Sequence, residues 1–144
     1  MANEESGKAA VDTAEELAEK SPEELAEQLE QETEKAGGRA SIIADFAVKD
    51  VEFIKPLTWG GKTWERAHMD FAKLTGIDME NIDDEMSALN KGLLPSDPIN
   101  SNKYLRLLAA KASGIPSMAI QSLPAADYNA VMRAARYFLI VSQI

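Results

Sequence analysis

The sequence predicts an α+β domain: a small N-terminal β-hairpin packed against three to four α-helices and preceded by a flexible acidic arm. Three observations lead to it. Residues 1–38 hold twelve acids against Lys8, Lys20 and Lys35, so the whole formal charge of −9 belongs to them and residues 39–144 are balanced. Every aromatic residue, from Phe46 to Phe138, lies after residue 38, so the arm lacks the groups from which a core is built. Beyond it, two strand-like runs flank Gly60-Gly61, and helical periodicity follows.

A chain of 144 residues with 45% hydrophobic residues can bury one modest core. The expected division is therefore an arm over 1–38 and one domain over 39–144. In the arm, "EELAE" recurs at Glu15 and Glu23, an offset of eight that fits neither the heptad nor the helical turn and argues against a coiled coil. Ser21-Pro22-Glu23-Glu24 is a helix start, with Ser21 as N-cap and Pro22 at the first helical position, and Gly37-Gly38 is its stop. With so few apolar groups, this helix is expected to be short, exposed and fraying.

The hairpin is read from Val51–Trp59 and Lys62–His68 around Gly60-Gly61, because a two-residue turn needs positive φ that glycine reaches without steric cost. That turn places Trp59 opposite Lys62, Thr58 opposite Thr63, Leu57 opposite Trp64 and Pro56 opposite Glu65. Phe53, Leu57, Trp59 and Trp64 then share a face. The missing N–H of Pro56 points to a free edge. Trp64 is expected in the core and Trp59, near the tip, partly exposed.

Helices follow. Thr75-Gly76-Ile77-Asp78 fits a capping box opening a helix that runs to about Asn90, before Gly92. Pro95 and Pro98 mark a loop. A second helix spans about Asn102 to Ser113 and stops at Gly114-Ile115-Pro116, and a short helical turn covers Ser117 to Gln121. The last helix starts near Pro124 and carries Tyr128, Val131, Met132, Ala135, Phe138 and Leu139 on one stripe. Its final turn, Tyr137 to Val141, is apolar all round.

Composition and motifs exclude more chemistry than they suggest. An isoelectric point near 4.6 offers no basic face for nucleic acid or an anionic membrane. No cysteine is present, which removes thiolate chemistry and disulfides. The start "MANEESGKAA" has neither a basic nor an apolar stretch, so a soluble cytoplasmic protein is expected. "GGKT" at Gly60–Thr63 ends like a P-loop, but the position five before Gly61 is Pro56, without an N–H, and the following residues alternate like a strand. The acids Asp78, Glu80, Asp83, Asp84 and Glu85 lack the calcium-loop pattern and suit the start of a helix. His68 is the only histidine, which rules out sites built on two or three imidazoles. No catalytic, cofactor or metal residues emerge. What remains is a partner-binding role: five consecutive apolar residues exceed what one face of a small core takes, so Tyr137, Ile140, Val141 and Ile144 are candidates either for an exposed patch or for packing under the hairpin as an ordinary apolar terminus, and Trp59 at the hairpin tip is a further candidate for partner contact.

The hairpin, then "LTGID" at Leu74–Asp78, "LAAKASGIP" at Leu108–Pro116, "LPAADY" at Leu123–Tyr128 and Phe138-Leu139 occur in an order that resembles the tail assembly chaperones of long-tailed bacteriophages. The resemblance covers about Glu52 to Ile144. The acidic arm lies outside it and makes this chain longer than shorter members of that family. The resemblance implies a non-enzymatic protein, from phage or prophage, made in the host cytoplasm. Such chaperones coat the aggregation-prone tape measure protein, help bring the tail tube protein to it, and are left out of the virion. It also implies the short form of a product that many phages extend by programmed frameshifting. The rival reading is a minor structural tail protein of the particle. Oligomeric state is not set by the sequence.

Overall fold

A computed structural model of the chain describes residues 21–35 and 38–143. The expectations for residues 1–20, Gly37 and Ile144 fall outside the described residues. The elements run α1 (Pro22–Lys35), α2 (Arg39–Ala47), β1 (Val48–Trp59), β2 (Lys62–Asp70), a 3-10 turn (Phe71–Lys73), α3 (Gly76–Leu89), a second 3-10 turn (Pro98–Asn100), α4 (Asn102–Ser113), α5 (Ser117–Gln121) and α6 (Ala125–Ser142). One antiparallel hairpin on a helical layer makes the protein α+β.

The turn of the hairpin is the expected one, with Gly60 at φ 57 and Gly61 at φ 80. Trp59↔Lys62, Thr58↔Thr63 and Leu57↔Trp64 pair as read from the sequence. The register then changes: Glu52 faces Arg66, so four residues of β1, Phe53 to Pro56, stand against Glu65 alone. Pro56 therefore lies in a wide bulge and is not a ladder partner of Glu65. A proline cannot donate to the ladder, which makes it a natural place to break pairing.

An excess of three residues is odd, so the bulge reverses which residues of β2 face inward. Trp64 turns inward opposite Leu57, and past the bulge Ala67 and Met69 turn inward opposite Val51 and Lys49. Leu57, Ala67 and Met69 are buried, while Trp64 and Phe53 are half-buried against the core. Trp59 is 38% exposed at the tip.

The bulge also frees backbone N–H groups, and one side chain takes them. Asp127, in the first turn of α6, is only 2% exposed. Its Oδ1 and Oδ2 accept the Ile54 N–H at 3.0 and 3.1 Å, and Oδ2 accepts the Lys55 N–H at 3.5 Å. A buried carboxylate is stable only with such donors, and the positive end of the α6 dipole favours it further. The far end of the hairpin is held by Phe71, whose ring stacks on Phe138 of α6 at 4.8 Å between centroids and 10° between planes.

α4 is the central helix. Tyr104 to Ala109 are buried without a break, because α3, α5, α6, β2 and the Pro98–Asn100 turn all lie against it. Arg106 runs its stem through this packing, and its Nε has no hydrogen-bond partner. Ser101 caps α4, accepting the Tyr104 N–H at 3.3 Å. Asp78 accepts the Thr75 N–H at 2.9 Å, which is the expected capping bond of α3.

Two helices depart from expectation. α2 has no counterpart in the sequence reading: its N-cap is Gly38, with no side-chain cap, and its stripe is short. α1 starts where expected, with the Glu24 N–H bonded to Ser21 Oγ at 3.3 Å, yet it is not an exposed helix. Leu25 is 2% exposed, and α1 lies against α2 and α6. Leu25 thus joins the same buried cluster as residues beyond 38.

Replacing Asp127 by Ala leaves the Ile54 and Lys55 N–H groups without an acceptor. We expect a stability loss of about 2–3 kcal/mol in urea unfolding, with Asp127→Asn costing less. An unchanged midpoint for Asp127→Ala would contradict the tie. Burial, reinforced by the charge and hydrogen bond of Asp83, pushes the Tyr104 phenol from 10.0 up to about 12. The folded state thus keeps a proton that the unfolded state releases, so stability is lost as pH rises from 10 towards 12. Tyr104→Phe should flatten that fall in urea midpoints measured across the window, and an equally steep fall would refute the assignment.

Candidate partner-binding surfaces

The residues of the apolar terminal run are inside the protein. Ile140 is 3% and Val141 1% exposed, and Tyr137 is half-buried. Ile140 and Val141 are therefore core, and the reason is two helices: α1, expected in the arm, and α2, not expected as a helix at all. α1 and α2 both lie on α6 and bring Leu25, Ile42 and Ala47 into the same buried cluster. The Phe46 ring meets Tyr137 edge-on, at 6.1 Å and 80°. Arg39 Nη2 donates to the Ser142 carbonyl at 3.1 Å, placing a cation at the negative end of α6. Burial raises the Tyr137 pKa, while Arg133 and Arg136 pull it back. Ile144 lies outside the described residues.

Trp59 is the one described member of the predicted set with a broad exposed surface, and it has company that the sequence reading did not single out. Val48 and Ile54 are exposed on the same strand, Ile54 at 81% because the bulge turns its side chain outward while Asp127 holds its backbone. A second group forms where α3 ends: Leu89, Leu93 and Leu94 are all more than half exposed. Their turn is well bonded. The Asn90 N–H reaches Met86 O at 3.0 Å, the Gly92 N–H reaches Ser87 O at 2.6 Å, and Asn90 Nδ2 reaches Leu93 O at 3.3 Å. Lys91 takes a positive φ of 55 to complete it. The leucines are thus held outward by a closed turn. Leu89 at the end of a helix and Leu93-Leu94 in the loop between Gly92 and Pro95 are the available sequence signal.

An open groove of about 730 Å³ runs beside α2, walled by Ala40, Ile43, Ala44, Ala47, Val48 and Ala72. Arg39 lines it too, and the rest of its lining is apolar, so α2 is not packed on that side.

The residues weighed for chemistry have local partners. Gly60 and Gly61 make a turn, and Lys62 and Thr63 are strand residues, with Thr63 Oγ1 3.1 Å from Thr58 Oγ1 across the ladder. His68 Nδ1 meets Asp50 Oδ1 at 2.5 Å as an exposed cross-strand pair. The acids of α3 are dispersed: Asp78 caps, Asp83 faces Tyr104, and Glu85 pairs with Lys111 at 3.4 Å. Among the described residues, no three His, Cys, Asp or Glu side chains gather into a metal-binding group, and no helix is long and apolar enough to cross a membrane. The geometry presents apolar surface on fixed turns, which suits holding another chain.

No protein-family model matches this chain, and neither a curated protein nor a solved structure does.

Proposed function

We propose that this protein is a tail assembly chaperone of a long-tailed bacteriophage or prophage. It acts without catalysis in the host cytoplasm, holding the tape measure protein while tail tube protein gathers on it. The observation that carries the reading is the leucine turn at the end of α3. Leu89, Leu93 and Leu94 stay exposed although the chain buries Leu25, Leu57, Leu105, Leu107 and Leu108. Apolar side chains fixed outward on a bonded turn are suited to the stripe of a long amphipathic helix, the form expected of a tape measure protein.

The charge pattern supports the same role. Residues 39–144 are balanced and the surplus acid lies in residues 1–38, so the client surface carries no strong field of its own. The acidic segment instead keeps loaded complexes apart by repulsion at low salt.

In co-expression with the tape measure protein, replacing Leu89, Leu93 and Leu94 together by Ser should reduce client recovery at least about tenfold, the scale of a lost apolar anchor cluster. The melting transition should be unchanged, since the three side chains are exposed. Full recovery of client by this variant would overturn the leucine turn as the binding surface.

A further inference from the structure

We infer that the free edge of β2 is a docking site for an extended segment of a partner protein, which pairs with the strand through its main chain and brings a carboxylate to Arg66. The site is separate from the leucine turn and does not depend on the function proposed above.

A two-stranded sheet has two outer edges, and in this hairpin they differ. The edge of β1 is closed at its middle. Asp127 takes the Ile54 and Lys55 N–H groups from outside the ladder, and Pro56 has none to offer. β2 has neither device. No proline lies between Lys62 and Asp70, and among the described residues no group outside the hairpin bonds to the main chain there. The N–H and C=O groups on its outer side are left for water or for another strand.

Beside that edge is a hollow of about 530 Å³. Arg66 and His68 border it from the face turned away from the helices, where they stand opposite Glu52 and Asp50. Ser113 and Ile115 border it from the helical layer, at the end of α4. A hollow bounded from both faces of the hairpin runs along its edge, so main-chain groups of β2 open into it. Half-buried Trp64 supplies an apolar wall, and Ser113 Oγ is fixed by the Ile115 N–H at 3.2 Å. A strand added here gains main-chain bonds from β2 and side-chain contacts from the helix end.

The charge of the occupant follows from Arg66. His68 is already paired with Asp50, whereas Arg66 forms no ion pair among the described residues. An acidic side chain on the incoming strand meets that cation, and a basic one is repelled by it. Glu65 is next to it, so a single acid among uncharged residues fits better than a run of acids. The same charges disfavour a second copy of this chain. Two β2 strands pairing antiparallel about Glu65 or Arg66, the middle of the hollow, set identical charges face to face.

The probe is a cyclic β-hairpin peptide whose outer strand alternates valine and threonine around one central glutamate. Two companions carry lysine at that position or N-methyl groups along the outward N–H row. With the full chain, the glutamate peptide should slow amide exchange at 63–68 and leave exchange at Ile54 and Lys55 unchanged. It should bind at least about tenfold more tightly than either companion. Arg66→Glu should invert the preference between the glutamate and lysine peptides, which a loss of stability alone would not do. No slowing at 63–68 would overturn the site, and equal binding of the N-methylated peptide would overturn main-chain pairing. An unchanged preference in Arg66→Glu would overturn the role of the cation. Exchange at 63–68 that slows with rising chain concentration in the absence of peptide would overturn the partner in favour of a second copy.

Discussion

A buried carboxylate reaching back across the chain sets the geometry of this protein. Asp127 accepts backbone N–H groups of Ile54 and Lys55, which are free because β1 bulges there, and β1 bulges where Pro56 cannot donate. The same bulge reverses the inward parity of β2, so that Leu57 with Trp64 and Val51 with Ala67 all turn towards the helices. A regular ladder would have turned one end of the hairpin's apolar set to water. The bulge and the carboxylate that satisfies it thus solve one problem together, and they join the start of α6 to the middle of the hairpin.

From that joint, α6 serves as the spine. Phe138 is stacked on Phe71 where the hairpin ends, and the last turn is closed by α2 through Phe46 and Arg39. A spine held along its length has its apolar residues inside, which is why the terminal run is core. Exposed apolar surface is displaced to the hairpin, at Ile54 and Trp59, and to the turn after α3. Under the proposed function, a client would be met first by these exposed turns.

Much of this was legible in the residues, and the exceptions have physical causes. Gly60-Gly61 specified the hairpin tip and three of its pairs, and Thr75 with Asp78 marked the start of α3. The register beyond Pro56 was not legible, because a bulge is stabilised by Asp127, which in sequence reads only as an ordinary first-turn acid. α2 escaped notice because Gly38 provides no capping side chain and its apolar residues form a short stripe. That omission carried into the site: without α2, and with α1 assigned to the arm, five apolar residues at the end of α6 looked too many for one core. Trp59 is partly exposed as expected, whereas Trp64, expected in the core, faces it only half-buried, because the position so near the tip leaves one side of the ring uncovered. The leucine turn was overlooked since its signal is composition, with no helical or strand period to draw attention to it.

The central claim is that this chain holds a tail component during assembly and does not become part of the tail. Mass spectrometry of lysed infected cells and of purified particles from the same culture tests it directly. The expected result is the chain in complex with the tape measure protein in the lysate and its absence from the particles. Stoichiometric recovery of the chain in purified particles would contradict it and identify a structural subunit of the tail instead.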